Sequence, residues 1–162
     1  MDLSIYFTNL PPEMATFIIS MLPISELRGA IPVAIGIYHI HPMTAYFIAV
    51  VGNMVPVFFI LKYIDPISKF LMSKSKLFNK FFSWLFVRTR RKYNGKFEKW
   101  GALALITFVA IPLPVTGGWT GALAAFVFGI PMKKALPLIT LGVMIAGVIM
   151  TGLSLGVISL SF

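Results

Sequence analysis

The sequence contains no cysteine. That excludes disulfides and thiolate metal sites and leaves the redox compartment unwritten in the chain. Acidic residues are nearly as scarce: Asp2, Glu13, Glu26, Asp65 and Glu98 are the whole set. With only His39 and His41 as histidines, no metal site and no cofactor is expected. Paired carboxylates, a Ser-His-Asp set and a Cys-His pair are all missing, so an enzyme is not expected either. Charge as a whole is thin, at 12% of residues against a usual share of about 25%. What fills the space is apolar: 58% of residues are hydrophobic and the mean hydropathy is +0.90. A chain of 162 residues this apolar cannot cover itself with polar surface, so lipid is the expected solvent. One membrane domain, 1–162, accounts for the length. The N-terminal region has no basic stretch before its first apolar run and does not read as a cleaved signal peptide.

The charge present is concentrated. Lys62, Lys69, Lys74, Lys76, Lys80, Arg88, Arg90, Arg91, Lys92, Lys96 and Lys99 hold most of a net charge of +9. In a soluble protein such a block points to nucleic acid. Between apolar spans the positive-inside rule accounts for it, so segment 62–99 is expected to be cytoplasmic and no nucleic-acid partner is expected. Within 65–99, apolar residues recur at helical spacing with lysines between them, the pattern of an amphipathic helix in the headgroup layer. The cluster Arg88 to Lys92 favours anionic inner-leaflet lipid.

Met43 to Leu61 is free of charge and long enough to cross a hydrocarbon core of about 30 Å as a helix. Ala135 to Phe162 is a second such run. Gly101 to Met132 is also uncharged, but it is too long for one crossing and too short for two. Pro112, Pro114, Gly117 and Gly118 interrupt it, which fits two half-helices folded into a re-entrant hairpin. Met14 to Tyr38 breaks in the same way around Pro23, with Pro32 as a further breaker. With both hairpins re-entrant, Lys99 and Lys133-Lys134 face the cytoplasm and both termini face outside. That arrangement obeys the charge rule throughout.

The two halves also match each other. Leu22-Pro23-Ile24-Ser25 pairs with Leu113-Pro114-Val115-Thr116, Gly29-Ala30 with Gly121-Ala122, and Pro42-Met43 with Pro131-Met132. Val51-Gly52-Asn53-Met54 pairs with Leu141-Gly142-Val143-Met144. The offsets are 91, 92, 89 and 90. The expected fold is therefore an all-α integral membrane protein of two inverted repeats. Each repeat is a re-entrant helical hairpin plus one full transmembrane helix. Repeat one covers 14–64 and repeat two 101–160, joined by the basic amphipathic connector 65–99.

The hairpin tips carry the candidate chemistry. A charge at mid-bilayer is costly, and it is retained for pairing, a proton or a substrate. Arg28 offers a guanidinium fork suited to phosphate or carboxylate, and Glu26 either neutralises it or carries a proton. The second tip offers backbone N–H groups of Thr116, Gly117 and Gly118 at the start of a helix, an end suited to anions. Thr116 or Thr120 is the expected cap. Asn53 and Trp119, with Thr120, are candidate pathway residues, although each also reads as a packing residue. His39 and His41 read as loop residues. A Glu26–Arg28 pair that only holds the hairpin together is the plainer alternative.

Glu26-Leu27-Arg28-Gly29-Ala30-Ile31-Pro32 and Pro112-Leu113-Pro114-Val115-Thr116-Gly117-Gly118-Trp119-Thr120-Gly121-Ala122-Leu123-Ala124-Ala125 resemble the motifs of the small multidrug export family, over nearly the whole chain. That family is in turn similar to the DedA membrane proteins, and the resemblance implies two facing re-entrant loops. It also implies a link to polyprenyl-phosphate carriers, proton-coupled transport and lipid scrambling. The expected function is a small secondary transporter of the cell membrane, an exporter of an unknown solute, with its site between the tips. The alternatives are a flippase or scramblase for an anionic lipid phosphate, and a non-transporting scaffold. A homodimer is the expected assembly.

Overall fold

The computed structural model describes residues 10–90, 95–113 and 116–160. Apart from the turns between elements those residues are helical, with no strand among them. Two short helices come first, α1 (Pro12–Met21) and α2 (Glu26–Gly36), followed by the long α3 (Pro42–Lys74). Next come α4 (Lys76–Arg90) and α5 (Gly95–Ala110), then a short α6 (Gly118–Val127) and a second long helix, α7 (Met132–Leu160).

Proline sets several of these boundaries. Pro12 and Pro42 open α1 and α3 in the first turn, where a missing N–H costs nothing. Pro23 holds Leu22 in extended backbone at ψ 138 and ends α1. Pro112 lies just beyond the end of α5. Pro32 is different from expectation: it sits inside α2 and breaks nothing. Pro56 and Pro66 likewise lie within α3, where each removes one backbone bond from a long ladder. Pro114 lies outside the described residues.

The connector is also built differently from the expected single amphipathic unit over 65–99. α3 continues through residue 65 to Lys74 and stops at Ser75, which is extended at φ −141 and ψ 127. Only Pro66 interrupts the helical pattern beyond Leu61, and buried Ser68 anchors that last stretch. Asp65 and Lys69 form an exposed i,i+4 ion pair at 3.0 Å there, a type worth only about 0.3–0.5 kcal/mol. α5 starts at Gly95 rather than at 101, and α7 takes in Lys133 and Lys134. Arg88 to Arg90 close α4, and the side chains of the cluster Arg88 to Lys92 lie outside the described residues.

α3 and α7 are both long and apolar enough to cross a membrane. In each, less than half of the most apolar window is buried. Phe47, Val51, Phe58, Val148, Leu153 and Val157 instead face outward. An outward apolar surface of this extent suits lipid rather than water.

The two long helices touch in antiparallel register. Tyr46 Oη donates to Met144 O at 3.3 Å, while eight residues further along α3 Met54 Sδ accepts from Thr140 Oγ1 at 3.8 Å. The short helices pack both within and between the halves. α1 lies on α3 and α5 on α7, while α2 reaches across to α7 and α6 across to α3. The core they enclose is rich in small residues: Ala30, Ala34, Ala45, Ala49, Ala122, Ala125, Ala135 and Ala146 are all buried within it. Small side chains let backbones approach closely where lipid supplies no hydrophobic drive.

The turns after α2 and α6 both pass through a left-handed residue but differ in reach by one residue. After α2, Ile37 N donates to Val33 O and Ile40 N to Ala34 O, with His39 at φ 53. After α6, Phe128 N donates to Ala124 O and Ile130 N to Ala125 O, with Gly129 at φ 70. Each is a left-handed helix stop in which the last free carbonyls are taken up.

Candidate functional site

The break between α1 and α2 meets the break between α5 and α6. Pro23 and Ile24 form the outer rim of the first, and Ile24 is 98% exposed. Behind them the chain turns inward. Ser25 Oγ donates to Ile19 O at 2.7 Å, and Glu26 N donates to Leu22 O at 2.9 Å. Glu26 then starts α2 at φ 46, in the left-handed region. A non-glycine residue is held there only when its surroundings fix it, at a cost of about 1–2 kcal/mol.

What fixes Glu26 is the other half of the chain. Its carboxylate accepts a hydrogen bond from Gly118 N at Oε2 and another from Trp119 N at Oε1, each at 3.2 Å. These are the first two N–H groups of α6, left without partners inside the helix. Gly117, the residue before them, makes no side-chain cap. Glu26 therefore caps α6 from the opposite hairpin, with its negative charge on the positive end of the helix. Neither threonine caps α6, contrary to expectation. Thr120 Oγ1 donates to Gly117 O at 3.3 Å, and Thr116 Oγ1 lies 2.8 Å from Ile111 O and 3.1 Å from Leu113 O.

Arg28 has its own partner. Its Nη2 donates to Thr116 Oγ1 at 3.1 Å. No ion pair joins it to Glu26, and the two charges instead each grip a different part of segment 116–119. Two residues apart on a regular helix, they would diverge. The left-handed start at Glu26 lets both reach the same segment.

Trp119 completes the clasp, with Nε1 donating to Met21 O at 3.2 Å. That carbonyl closes α1, and nothing in the sequence marks it, because the contact needs only backbone. Gly117 and Gly118 are required by close approach. A Cβ on Gly117 would run into the Glu26 carboxylate, and one on Gly118 into the Asn53 amide oxygen and within 2.8 Å of Val57 Cγ2.

Asn53 stands behind this contact, fully buried on α3. Its amide faces the Glu26 carboxylate, although neither Oδ1 nor Nδ2 makes a hydrogen bond of full geometry. A buried amide held this loosely is expensive. The site thus gathers Glu26, Arg28, Asn53, Thr116, Gly117, Gly118 and Trp119, and Thr120 lies one turn further in. Pro32, His39 and His41 lie away from it, the last two exposed. Among the described residues no group of three or more His, Cys, Asp or Glu is placed to hold a metal. The arrangement holds one carboxylate, one guanidinium and one buried amide together, with two backbone donors that an anion other than Glu26 would also satisfy.

No curated protein and no solved structure similar to the chain is found. Residues 26–149, from the site carboxylate into the second long helix, match the family described as putative small multi-drug export protein, and the chain belongs to that family.

Proposed function

We propose that the protein is a small secondary transporter whose site is the junction of the two helix breaks, and that Glu26 carries the coupling proton. The observation that carries this reading is the cap itself. A buried carboxylate from one half occupies the anion-binding end of a helix from the other half. A proton arriving at Glu26 removes the charge that holds the cap. The backbone donors of Gly118 and Trp119 are then free for an anionic group of the solute, and Arg28 turns from Thr116 to the same group. Asn53, beside the Glu26 carboxylate and without a hydrogen bond of full geometry, can receive part of it.

The depth of the site supports this. Asn53 is eleven residues along α3 from Pro42, or about 16 Å at helical rise. That is near the middle of a hydrocarbon core of about 30 Å. α1, α2 and α6 have 10, 11 and 10 residues, or roughly 15 Å each, so each reaches the middle and turns back. We read the two breaks as tips of re-entrant hairpins on this basis.

The inverted repeat is supported in the same way. The left-handed residues His39 and Gly129 are 90 positions apart, each in the turn between a short helix and a long one. Gly52 and Gly142 share that offset. A Cβ on the first would lie 2.8 Å from Phe17 O, and on the second 3.0 Å from Ile106 O. The long helices that carry these glycines run antiparallel, as equivalent elements of an inverted pair must. Transporters built this way alternate by rocking one repeat against the other around a central site, and here the Glu26 cap is the contact that must open.

The test is reconstitution in liposomes holding a trapped pH-sensitive dye. Ethidium serves as a cationic probe and taurocholate as an anionic amphiphile. The expected outcome is proton movement coupled to a probe, abolished in Glu26→Gln. Equal coupled flux in Glu26→Gln and the unmodified protein overturns the reading. A fluorescent-lipid flip assay in the same vesicles separates the alternatives: lipid movement without proton movement points to a flippase, and no movement of any kind to a scaffold.

A further inference from the structure

A second feature lies away from the tips. α5, α6 and α7 enclose a cavity of about 680 Å³, inside the range of about 300–1,000 Å³ common for small-molecule sites. Gly101, Ala104, Leu105 and Phe108 recur at helical spacing along α5 and form one wall. Ala124 and Phe128 close it from the end of α6, and Pro137 and Leu138 from α7. The hollow exists because small residues stand on facing helices, at 101 and 104 on α5 and at 124 on α6. Lys133 and Lys134 stand at one end, in the first turn of α7, and beyond them every described lining residue is apolar.

Apolar walls limit what can fill this space. An ordered water needs about two to four polar partners, and the walls beyond the lysines offer no polar side chain. Left empty, the walls would forfeit the contacts that close packing supplies. Hydrocarbon is the filling that suits them. Phe108 and Phe128 remain 39% and 47% exposed, so the cavity opens at the surface beside them. That surface continues the outward apolar face of the molecule: Leu141 and Ile145 follow Leu138 at helical spacing along α7, and both face outward. Leu138 is five residues beyond Lys133, or about 7 Å further along the helix, so the trough runs from the last charges toward the bilayer interior.

We infer that this cavity binds one hydrocarbon chain of a bilayer lipid, laid along Leu105, Phe108, Phe128 and Leu138, with no recognition of the headgroup. The two lysines take no part in it. The inference rests on the lipid-facing position of α7 and not on transport. Its consequence reaches the tips through α6, because Ala124 belongs to the helix whose first N–H groups hold Glu26. A chain in the cavity backs that helix on a side where α5 offers only small residues.

The experiment is native mass spectrometry of the full chain released from mild detergent, after exposure to dioleoylphosphatidylcholine or to dioleoylglycerol. Neither lipid carries a net charge, so the basic segment adds no attraction. The expected result is one retained molecule of either lipid, in similar amounts, and none of dihexanoylphosphatidylcholine, whose short chains bury too little area. Ala104→Leu and Ala104→Phe fill the trough from α5 and should each lower retention about tenfold. Position 104 is exposed, so the fold is expected to survive, and the smaller leucine serves if the phenylalanine variant does not fold. Val148→Phe, on the outward face of α7 and outside the cavity, should retain lipid as the unmodified protein does. In delipidated protein, added dioleoylphosphatidylcholine should raise the melting temperature of the unmodified chain by about 3 °C and leave that of the Ala104 variants unchanged. No retained lipid, or retention that the Ala104 variants leave intact, overturns the proposal. So does retention of phosphatidylcholine without dioleoylglycerol, because the headgroup and not the chain is then what is held.

Discussion

At the scale of single residues, the site is a set of contacts that leave no room for an extra atom on one side and have unused capacity on the other. Gly118 marks the first condition. Gly118→Ala places a methyl against the Asn53 amide and Val57 and should lower stability by about 1–3 kcal/mol. Gly156→Ala, on α7 with nothing within 4 Å of the added methyl, should raise stability by about 0.5–1 kcal/mol. Thermal unfolding in detergent reads both, and equal effects would remove the argument for tight packing at the tip. Asn53 marks the second condition. Its amide is buried with no hydrogen bond of full geometry, so Asn53→Ala, which adds no volume beside Gly118, should cost no more than about 1–2 kcal/mol. The same variant should abolish coupled flux in liposomes. A clear loss of stability instead would show that the amide holds the fold together and has no separate use. Glu26 and Arg28 were visible in the sequence as charges in an apolar run. Their separation from one another was not, because it depends on a left-handed φ at Glu26 that nothing local requires.

At the scale of elements, the breaks are the features that composition announces most clearly. Pro23 and Pro112 each stand beside a helix end, and the charge-free runs around them are the wrong length for whole crossings. Pro32 and Pro66 show where that logic stops. A proline removes one backbone bond, and packing on both sides of α2, or the continuing helical pattern beyond Leu61, outweighs it. The length of α3 was unreadable for the same reason, since amphipathic sequence after residue 62 continues a helix as readily as it starts one. The turns closing α2 and α6 were hidden too, because histidine at 39 gives no sign of the conformation that glycine at 129 advertises. Their shared geometry makes a prediction of opposite signs. His39→Gly removes the strain that a Cβ brings to the left-handed region and should stabilise by about 0.5–1 kcal/mol. Gly129→Ala introduces that strain and should destabilise by about 1–2 kcal/mol. Chemical denaturation of the two variants checks both. The first should leave transport intact, since exposed His39 lies away from the site.

At the scale of the whole molecule, antiparallel long helices decide which ends share a side of the membrane. α3 opens at Pro42 and stays free of charge until Lys62, twenty residues or about 30 Å on, which matches one hydrocarbon core. α7 opens beside Lys133 and Lys134 and then carries no further charge. Because Tyr46 meets Met144 and Met54 meets Thr140, the Lys133 end of α7 lies beside the Lys62 end of α3. Every one of those lysines then falls on one side, and in the proposed topology, which follows the positive-inside rule, that side is the cytoplasm. If the hairpins were simple spans, Lys133 and the connector would face opposite compartments. The absence of native cysteine makes the distinction direct to measure. Single cysteines at Ser75, Lys133 and His41 are each tested with a membrane-impermeant maleimide on intact cells and on inverted vesicles. Ser75→Cys and Lys133→Cys should label only in inverted vesicles, and His41→Cys only in intact cells. Labelling of Ser75→Cys and Lys133→Cys from opposite sides would leave both re-entrant hairpins, and the mid-membrane position of Glu26, without support.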